Sequence, residues 1–140
     1  MAAYFKFENF VERLLKGEHQ FHAAGHTVKV YLTNAAPSAS LDDVKADLAE
    51  ISAGNGYTAG GTDTQNDLTE TTGTATVTAV DVTWTASTGT IGPFRYAAIY
   101  NDTHASDALI GAWDYGSNLT LNDGESFTVD FASNSLFTLA

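Results

Sequence analysis

Alternating apolar and polar residues predict most of the strands in this chain. The most regular alternation surrounds residues 84–100, where two apolar runs meet across a glycine-rich turn that contains Pro93. Both faces of the run 94–100 are apolar, which is typical of a strand inside a sheet rather than at its edge. We therefore expect residues 80–86 and 94–100 to form the central pair of strands, with Pro93 just before the second strand or at its first residue.

Further strands are predicted on both sides of this pair. Residues 27–32, 108–115 and 126–131 alternate in the same way, and residues 136–139 give a last short strand. Within the strand 108–115, Gly111 is expected to leave room for a neighbouring aromatic ring. Six or more closely spaced strands predict a mainly β fold, an antiparallel, jelly-roll-like β-sandwich. Its aromatic core is expected to contain Trp84, Tyr96, Trp113 and Phe127.

Two stretches have helical spacing. The first is an apolar stripe followed by Gly17, a residue suited to a helix C-terminus, and it predicts an N-terminal helix at about residues 5–16. The second follows Ser40, a good N-cap, and predicts a short connecting helix at about residues 41–49. Acidic residues in its first turn are explained by the helix dipole better than by catalysis.

The first helix divides the chain into a predicted N-terminal helical arm, residues 1–25, and a β-sandwich domain, residues 26–140. Its stripe permits two interpretations: it packs on the sandwich of its own chain, or it docks on another chain. We favour docking, because the helix is terminal, the sandwich already has enough strands to close, and this end holds three of the six basic residues. Removal of residues 1–21 should then leave a folded body. The predicted interface consists of Phe5, Phe7, Phe10, Val11, Leu14 and Leu15.

Four other stretches have compositions or spacings that suggest chemistry or irregular structure. The glycine-rich residues 52–61 lack the ending of a P-loop and predict a tight loop anchored by Tyr57. The polar residues 62–73 are oxygen-rich enough to suggest calcium, but without EF-hand spacing. A change of phase at residues 79–80 predicts a β-bulge in one long strand. The HxxH spacing at residues 19–22 suits zinc on a helix, but it lacks further ligands, so no metal site and no cofactor are expected.

Composition narrows the class of protein. The chain has 140 residues, which indicates one domain. Its formal net charge of -11 disfavours nucleic acid and anionic membrane surfaces as partners. It has no cysteine, so disulfides and thiolate metal sites are excluded. No membrane-spanning run and no secretory signal are expected.

A catalytic role is not expected. The sequence has no GxSxG elbow and no cysteine nucleophile. Asp114, beside Trp113, is the best isolated candidate for an acid in a partly apolar setting, but no partner stands at a recognisable spacing.

Five segments form a recognisable pattern in their order and spacing. They are YLTNAAP at 31–37, EISAGNGYTAGG at 50–61, VTWTASTGTIGPFRYAAIYNDT at 82–103, LIGAWDYG at 109–116 and DGESFTVDF at 123–131. This pattern resembles a family of small proteins encoded among the virion structural genes of tailed bacteriophages. The resemblance covers about residues 26–140, and its motifs are structural rather than chemical. It does not include the stretch HQFHAAGH at residues 19–26.

This resemblance implies a non-enzymatic particle component. The expected function is that of a capsid decoration, or cement, protein on the virion surface, a homotrimer that binds between major capsid protein subunits and stabilises the shell. One alternative is a minor tail or head-fibre component. Another is a carbohydrate-binding module, since exposed tryptophan and tyrosine side chains on a sandwich stack on sugars. Burial of both tryptophans would remove this last alternative.

Overall fold

Three antiparallel sheets and one helix make up the computed structural model, which describes residues 2–140. The predicted class, mainly β, antiparallel and β-sandwich-like, is confirmed. The elements are β1 (Ala3–Lys6), α1 (Glu8–Leu15), β2 (Val28–Thr33), β3 (Thr62–Asp63), β4 (Asp67–Thr71), β5 (Thr74–Thr78), β6 (Val82–Thr85), β7 (Ile91–Asn101), β8 (Leu109–Leu121), β9 (Ser126–Val129) and β10 (Ser135–Leu139). Short 3-10 helices occupy Lys45–Asp47 and Ala132–Asn134.

The largest sheet has the strand order β1-β8-β7-β2-β3, so β7 lies at its centre. Residues 96–101 of β7 are all buried. The prediction that this strand lies inside a sheet is therefore confirmed. Both faces of the strand are apolar because both faces of the sheet are covered.

Two core layers cover the two faces of this sheet. On one face, Val30 and Ile99 pack in the same cluster as Trp84 and Val129 of the small sheet β6-β9 and Val77 of the sheet β10-β5-β4. On the other face, a smaller cluster joins residues of the large sheet to the irregular segment before β3. It contains Phe7, Tyr31, Leu48, Ala98, Tyr100, Leu109 and Ala112. The large sheet is thus the middle layer of the molecule.

The predicted central pair of strands is wrong. β6 pairs with β9, and β7 pairs with β8 and β2, so the runs on either side of the glycine-rich turn belong to different sheets. Trp84 and Phe94 still share one core cluster, in which both rings pack beside the ring of Phe127 in β9. Pro93 lies inside β7, where the register against β8 is irregular, rather than at its start.

Three further predictions of secondary structure need correction. The run 75–86 is not one bulged strand, because β5 and β6 lie in different sheets. Residues 41–49 form only the three-residue 3-10 helix, and Leu41 is exposed. In place of the expected N-cap, carboxylates satisfy local backbone donors: Asp47 accepts hydrogen bonds from the N–H groups of Asp43 and Val44. Side chains of this type compete with helix formation in this way.

The N-terminal helix exists, but it begins at Glu8 instead of residue 5. Residues 3–6 form β1, an edge strand paired with β8. Tyr4 lies opposite Trp113, and its ring occupies the space over Gly111 that a Cβ atom would fill. Gly111 therefore leaves room for an aromatic ring, as its place in the strand indicated. Met1, the first residue of the predicted arm, lies outside the described residues.

The glycine-rich loop is confirmed, with Tyr57 as its anchor. The Tyr57 side chain is buried, and its hydroxyl accepts a hydrogen bond from the Leu32 N–H and donates one to Glu50. The next stretch, the polar residues 62–73, contains two strands that were not predicted, β3 and β4. β4 is exposed along its whole length, so no alternation marks it in the sequence.

Candidate functional site

The six residues predicted as an interface are divided between core and surface. Phe7 and Phe10 are buried within the chain's own core. Phe5 and Leu14 pack against the core from partly buried positions. On α1, the exposed apolar side chains are Val11, which is 43% exposed, and Leu15, which is 85% exposed.

The predicted arm is thus part of the folded body. β1 adds a strand to the large sheet, and Phe7 donates a backbone hydrogen bond to the Ile110 carbonyl. Phe21 is also buried and meets Phe10 edge to face. The interpretation in which the helix packs on its own chain fits these contacts, while docking on a partner remains a prediction for Val11 and Leu15.

Arg13 joins α1 to two distant parts of the chain. Its guanidinium donates from Nε to Asp43 Oδ1 at 3.0 Å and from Nη1 to Glu18 Oε2 at 2.6 Å. His104 Nε2 lies 3.2 Å from both Arg13 Nη1 and Glu18 Oε2. Hydrogen bonds from Arg13 hold the pKa values of Asp43 and Glu18 below their usual range. This planar, two-sided pairing is a geometry that arginine provides and lysine does not.

A buried amide next to this ion-pair network determines which ring nitrogen of two histidines accepts a hydrogen bond. Asn101 is fully buried, and its Oδ1 accepts hydrogen bonds from the N–H groups of Thr103 and His104. Its Nδ2 must therefore point the other way, where it lies 3.0 Å from His19 Nδ1 and 2.9 Å from His26 Nδ1. Because the amide nitrogen only donates, each ring must accept through Nδ1 and carry its proton on Nε2.

The predicted HxxH pair is separated by this arrangement. Residues 18–27 are not helical, so His19 and His22 do not share a helical face. His19 is buried and stacks on Phe21, whereas His22 is exposed. Burial, with smaller contributions from the charges of His104 and Arg13, lowers the pKa of His19 from 6.5 to about 4.

We expect the protein to lose stability below neutral pH because of His19. Its pKa is lower in the folded state than in the unfolded state, so the unfolded state binds more protons between pH 6.5 and 4. The contribution of His19 is complete above pH 6.5 and is lost as the pH falls toward 4. The free energy of unfolding should decrease by about 2 kcal/mol between pH 7 and pH 5. Urea denaturation at a series of pH values measures this slope.

A pair of variants isolates the part of the slope that belongs to His19. His19→Gln should flatten the slope, while His22→Gln, which removes an exposed imidazole, should leave it unchanged. His26 and His104 are present in both variants. Equal slopes in the two variants would contradict the assignment.

The candidate acid does not have the environment that general acid catalysis needs. Asp114 Oδ1 and Oδ2 accept hydrogen bonds from Arg95 Nε and Nη2 at 2.8 and 3.0 Å. The hydrogen bonds from Arg95 hold the pKa of Asp114 below its usual value. A general acid near neutral pH needs a raised pKa. Asp114 therefore acts as a partner for Arg95 across β7 and β8.

An aromatic surface lies at the β1 edge of the large sheet. The rings of Tyr4 and Trp113 are 5.2 Å apart, and Tyr4 is 46% exposed. Clefts of about 190 and 370 Å³ flank Trp113, and Asp130 lines both. Trp84, in contrast, is buried. Of the two tryptophans, only Trp113 is accessible to a ligand.

Neither metal ligands nor a membrane span is evident in the described chain. Across residues 2–140, no group of three or more His, Asp or Glu side chains is arranged to hold a metal ion. Within the same range, no helix combines the length and apolar character needed to cross a membrane. In the stretch suspected of binding calcium, the Asn66 side chain instead joins Val28, Phe21 and His26 through their backbone groups.

Comparisons with protein-family models, curated proteins and solved structures gave no match.

Proposed function

We propose that this protein is a virion structural protein of a tailed bacteriophage, a capsid decoration protein that binds between major capsid protein subunits. The observation that carries the proposal is the ordered set of segments between residues 31 and 131 that resembles such proteins. These segments lie in the strands of the antiparallel sheets and in the loops that connect them. A protein of this kind stabilises the shell by linkage, because it binds the assembled state and not its separate subunits.

The exposed side of α1 is the contact surface that this proposal favours. Val11 and Leu15 are one helical turn apart and therefore lie on the same side of the helix. The helix is held rigidly by Phe10 in the core and by the Arg13 ion pairs, so the surface is formed before binding. A preformed apolar surface loses little conformational freedom when a partner covers it.

Particle association tests the proposal. Mass spectrometry and cryo-EM density of purified virions should find the protein on the head, and analytical ultracentrifugation should find a trimer. Density on the tail would favour the alternative of a minor tail or head-fibre component. Absence of the protein from purified virions would contradict both.

A pair of variants tests the α1 surface. The double variant Val11→Ser, Leu15→Ser should bind particles at least about tenfold more weakly, because it removes most of the apolar area of this surface. Val80→Ser, which changes a half-exposed valine between β5 and β6, is the matched control and should bind normally. Normal binding by the double variant would contradict the assignment of this surface.

One observation favours a second function, carbohydrate binding. Tyr4 and Trp113 form a tilted, partly exposed aromatic pair beside Asp130, and aromatic rings with a nearby carboxylate suit a sugar. A glycan array would separate the two functions. Glycan binding that Tyr4→Ala abolishes would support the second.

A further inference from the structure

An apolar groove of about 340 Å³ opens between α1, the segment that follows it and the sheet β10-β5-β4. This volume lies in the range of about 300–1,000 Å³ typical of binding sites. Phe21, Val77 and Phe137 belong to its lining and to the core beneath it. Leu68 and Leu139 also line it, yet they are 43% and 61% exposed.

The strand register explains why the groove is continuous. In β5, Ala75 and Val77 point to the same face, because side chains alternate along a strand. Leu68 of β4 and Phe137 of β10 both lie opposite Val77, so they share that face. Leu139 lies opposite Ala75 in the same way. All three strands thus contribute apolar residues to one face of the sheet, and the chain itself covers these residues only in part.

The exposed rim indicates a protein partner rather than a small molecule. A small ligand could fill the groove, but the outer parts of Leu68 and Leu139 would stay in water. A protein surface would cover the rim as well as the groove. Exposed apolar areas around a concavity are typical of protein interaction sites.

The charge around the groove indicates which kind of protein. Glu70 lies opposite Ala75, on the groove face, and makes no ion pair with residues 2–140. Within residues 2–140, no lysine or arginine lines the groove, and five of the six basic residues are already in ion pairs. A second copy would bring another Glu70 and a further charge of -11 to this surface. A basic partner is complementary where a second copy is not.

We propose that this groove binds a segment of another protein that inserts leucine- or phenylalanine-sized side chains and places a lysine or arginine beside Glu70. Where that partner is the capsid shell, the inference rests on the function proposed above and names a second contact surface. The apolar sheet face and the charge of Glu70 support binding at this groove independently of that function.

A titration of the isolated, isotope-labelled protein with two peptides tests the proposal. The probe is the amidated peptide Lys-Leu-Phe-Leu-Lys, and the matched control is Glu-Leu-Phe-Leu-Glu. We expect saturable NMR shifts of the methyl groups of Ala75, Val77 and Leu139 and of the imidazole of His19, which lines the groove. The basic peptide should bind about two- to fivefold more tightly, as one rim ion pair provides. Absence of saturable shifts, or equal affinity for the two peptides, would overturn the proposal.

Two pairs of variants locate the binding. Ala75→Phe fills the groove and should weaken binding at least about tenfold, while Thr76→Phe places the same ring on the opposite face of β5 and should not. Glu70→Gln should remove most of the preference for the basic peptide, and Glu125→Gln, at the turn before β9, should leave it. Unchanged binding by Ala75→Phe would contradict the site.

Dilution of the protein without peptide provides a separate test. Shifts of the groove methyl groups that depend on protein concentration would show that a second copy is the occupant, and would contradict a basic partner. The titration uses no particles, so its failure is distinguishable from failure of the virion assignment. If the protein binds the peptide but is absent from virions, the groove proposal is supported and the virion assignment is contradicted. If the protein is present on virions but does not bind the peptide, the virion assignment is supported and the groove proposal is contradicted.

Discussion

A chain from which residues 1–21 have been removed is expected not to fold. The deletion takes away β1, α1 and three buried phenylalanines, Phe7, Phe10 and Phe21. Loss of three buried phenylalanine side chains costs on the order of 10 kcal/mol. Domains of this size are stable by only about 5–15 kcal/mol in total. The packing therefore reverses the expectation from the sequence, which was a folded body after the same deletion.

Far-UV circular dichroism and the dispersion of the amide NMR spectrum measure this outcome. The matched control is the double variant Val11→Ser, Leu15→Ser, which changes the exposed side of the same helix and should melt within a few degrees of the wild type. A truncated chain with a native-like, dispersed spectrum would show that residues 1–21 are an appendage after all.

The strands that alternate clearly were predictable from the sequence, and their partners were not. β2, β7 and β8 each carry an apolar face, and the fully apolar character of β7 correctly indicated a central strand. Pairing depends on which layer each strand enters. The turn between β6 and β7 looks like a hairpin, yet the chain crosses there from one layer to another. Local alternation is the same for a hairpin and for such a crossing.

Two errors have a common physical cause, which is that short elements depend on tertiary contacts. Residues 5 and 6 of β1 fell within the predicted helix because the apolar stripe begins directly after them, at Phe7, although β8 supplies hydrogen bonds that only a strand can use. Residues 41–49 are mostly irregular, and within them Leu48 is buried in the same cluster as Tyr31 and Tyr100. The helical spacing of the apolar residues in this stretch was therefore coincidental.

The network around Asn101 could not be assembled from the sequence. Its amide binds His19 and His26, which are 82 and 75 residues away along the chain. One signal was present: Asn101 ends a run of apolar residues in β7, and an amide buried in such a place must find hydrogen-bond partners. The sequence shows that partners are needed but not which ones. Arg13 entered the sequence analysis only as one of three basic residues at the N-terminal end, although it joins three segments.

Trp84→Ala is expected to destabilise the protein by about 3–5 kcal/mol, the range for truncation of a buried aromatic side chain. Trp84 is 3% exposed, stacks on Phe127 across β6 and β9, and lies against Tyr57. Phe127 is only partly buried, although the sequence indicated both residues as core, so Phe127→Ala should cost less. Urea denaturation followed by far-UV circular dichroism measures both.

Trp84→Phe separates the packing of the ring from its polar atom. The indole Nε1 is buried and makes no hydrogen bond with residues 2–140. Because an unsatisfied buried donor is itself unfavourable, by about 1–3 kcal/mol, its removal should offset much of the lost ring area. We therefore expect Trp84→Phe to retain well over half of the stability that Trp84→Ala loses. The control is Thr83→Ala, on the exposed side of the same strand, which should cost at most about 1 kcal/mol. If Thr83→Ala proved the more damaging change, the register of β6 against β9 would be shifted by one residue, since such a shift exchanges the two faces of a strand.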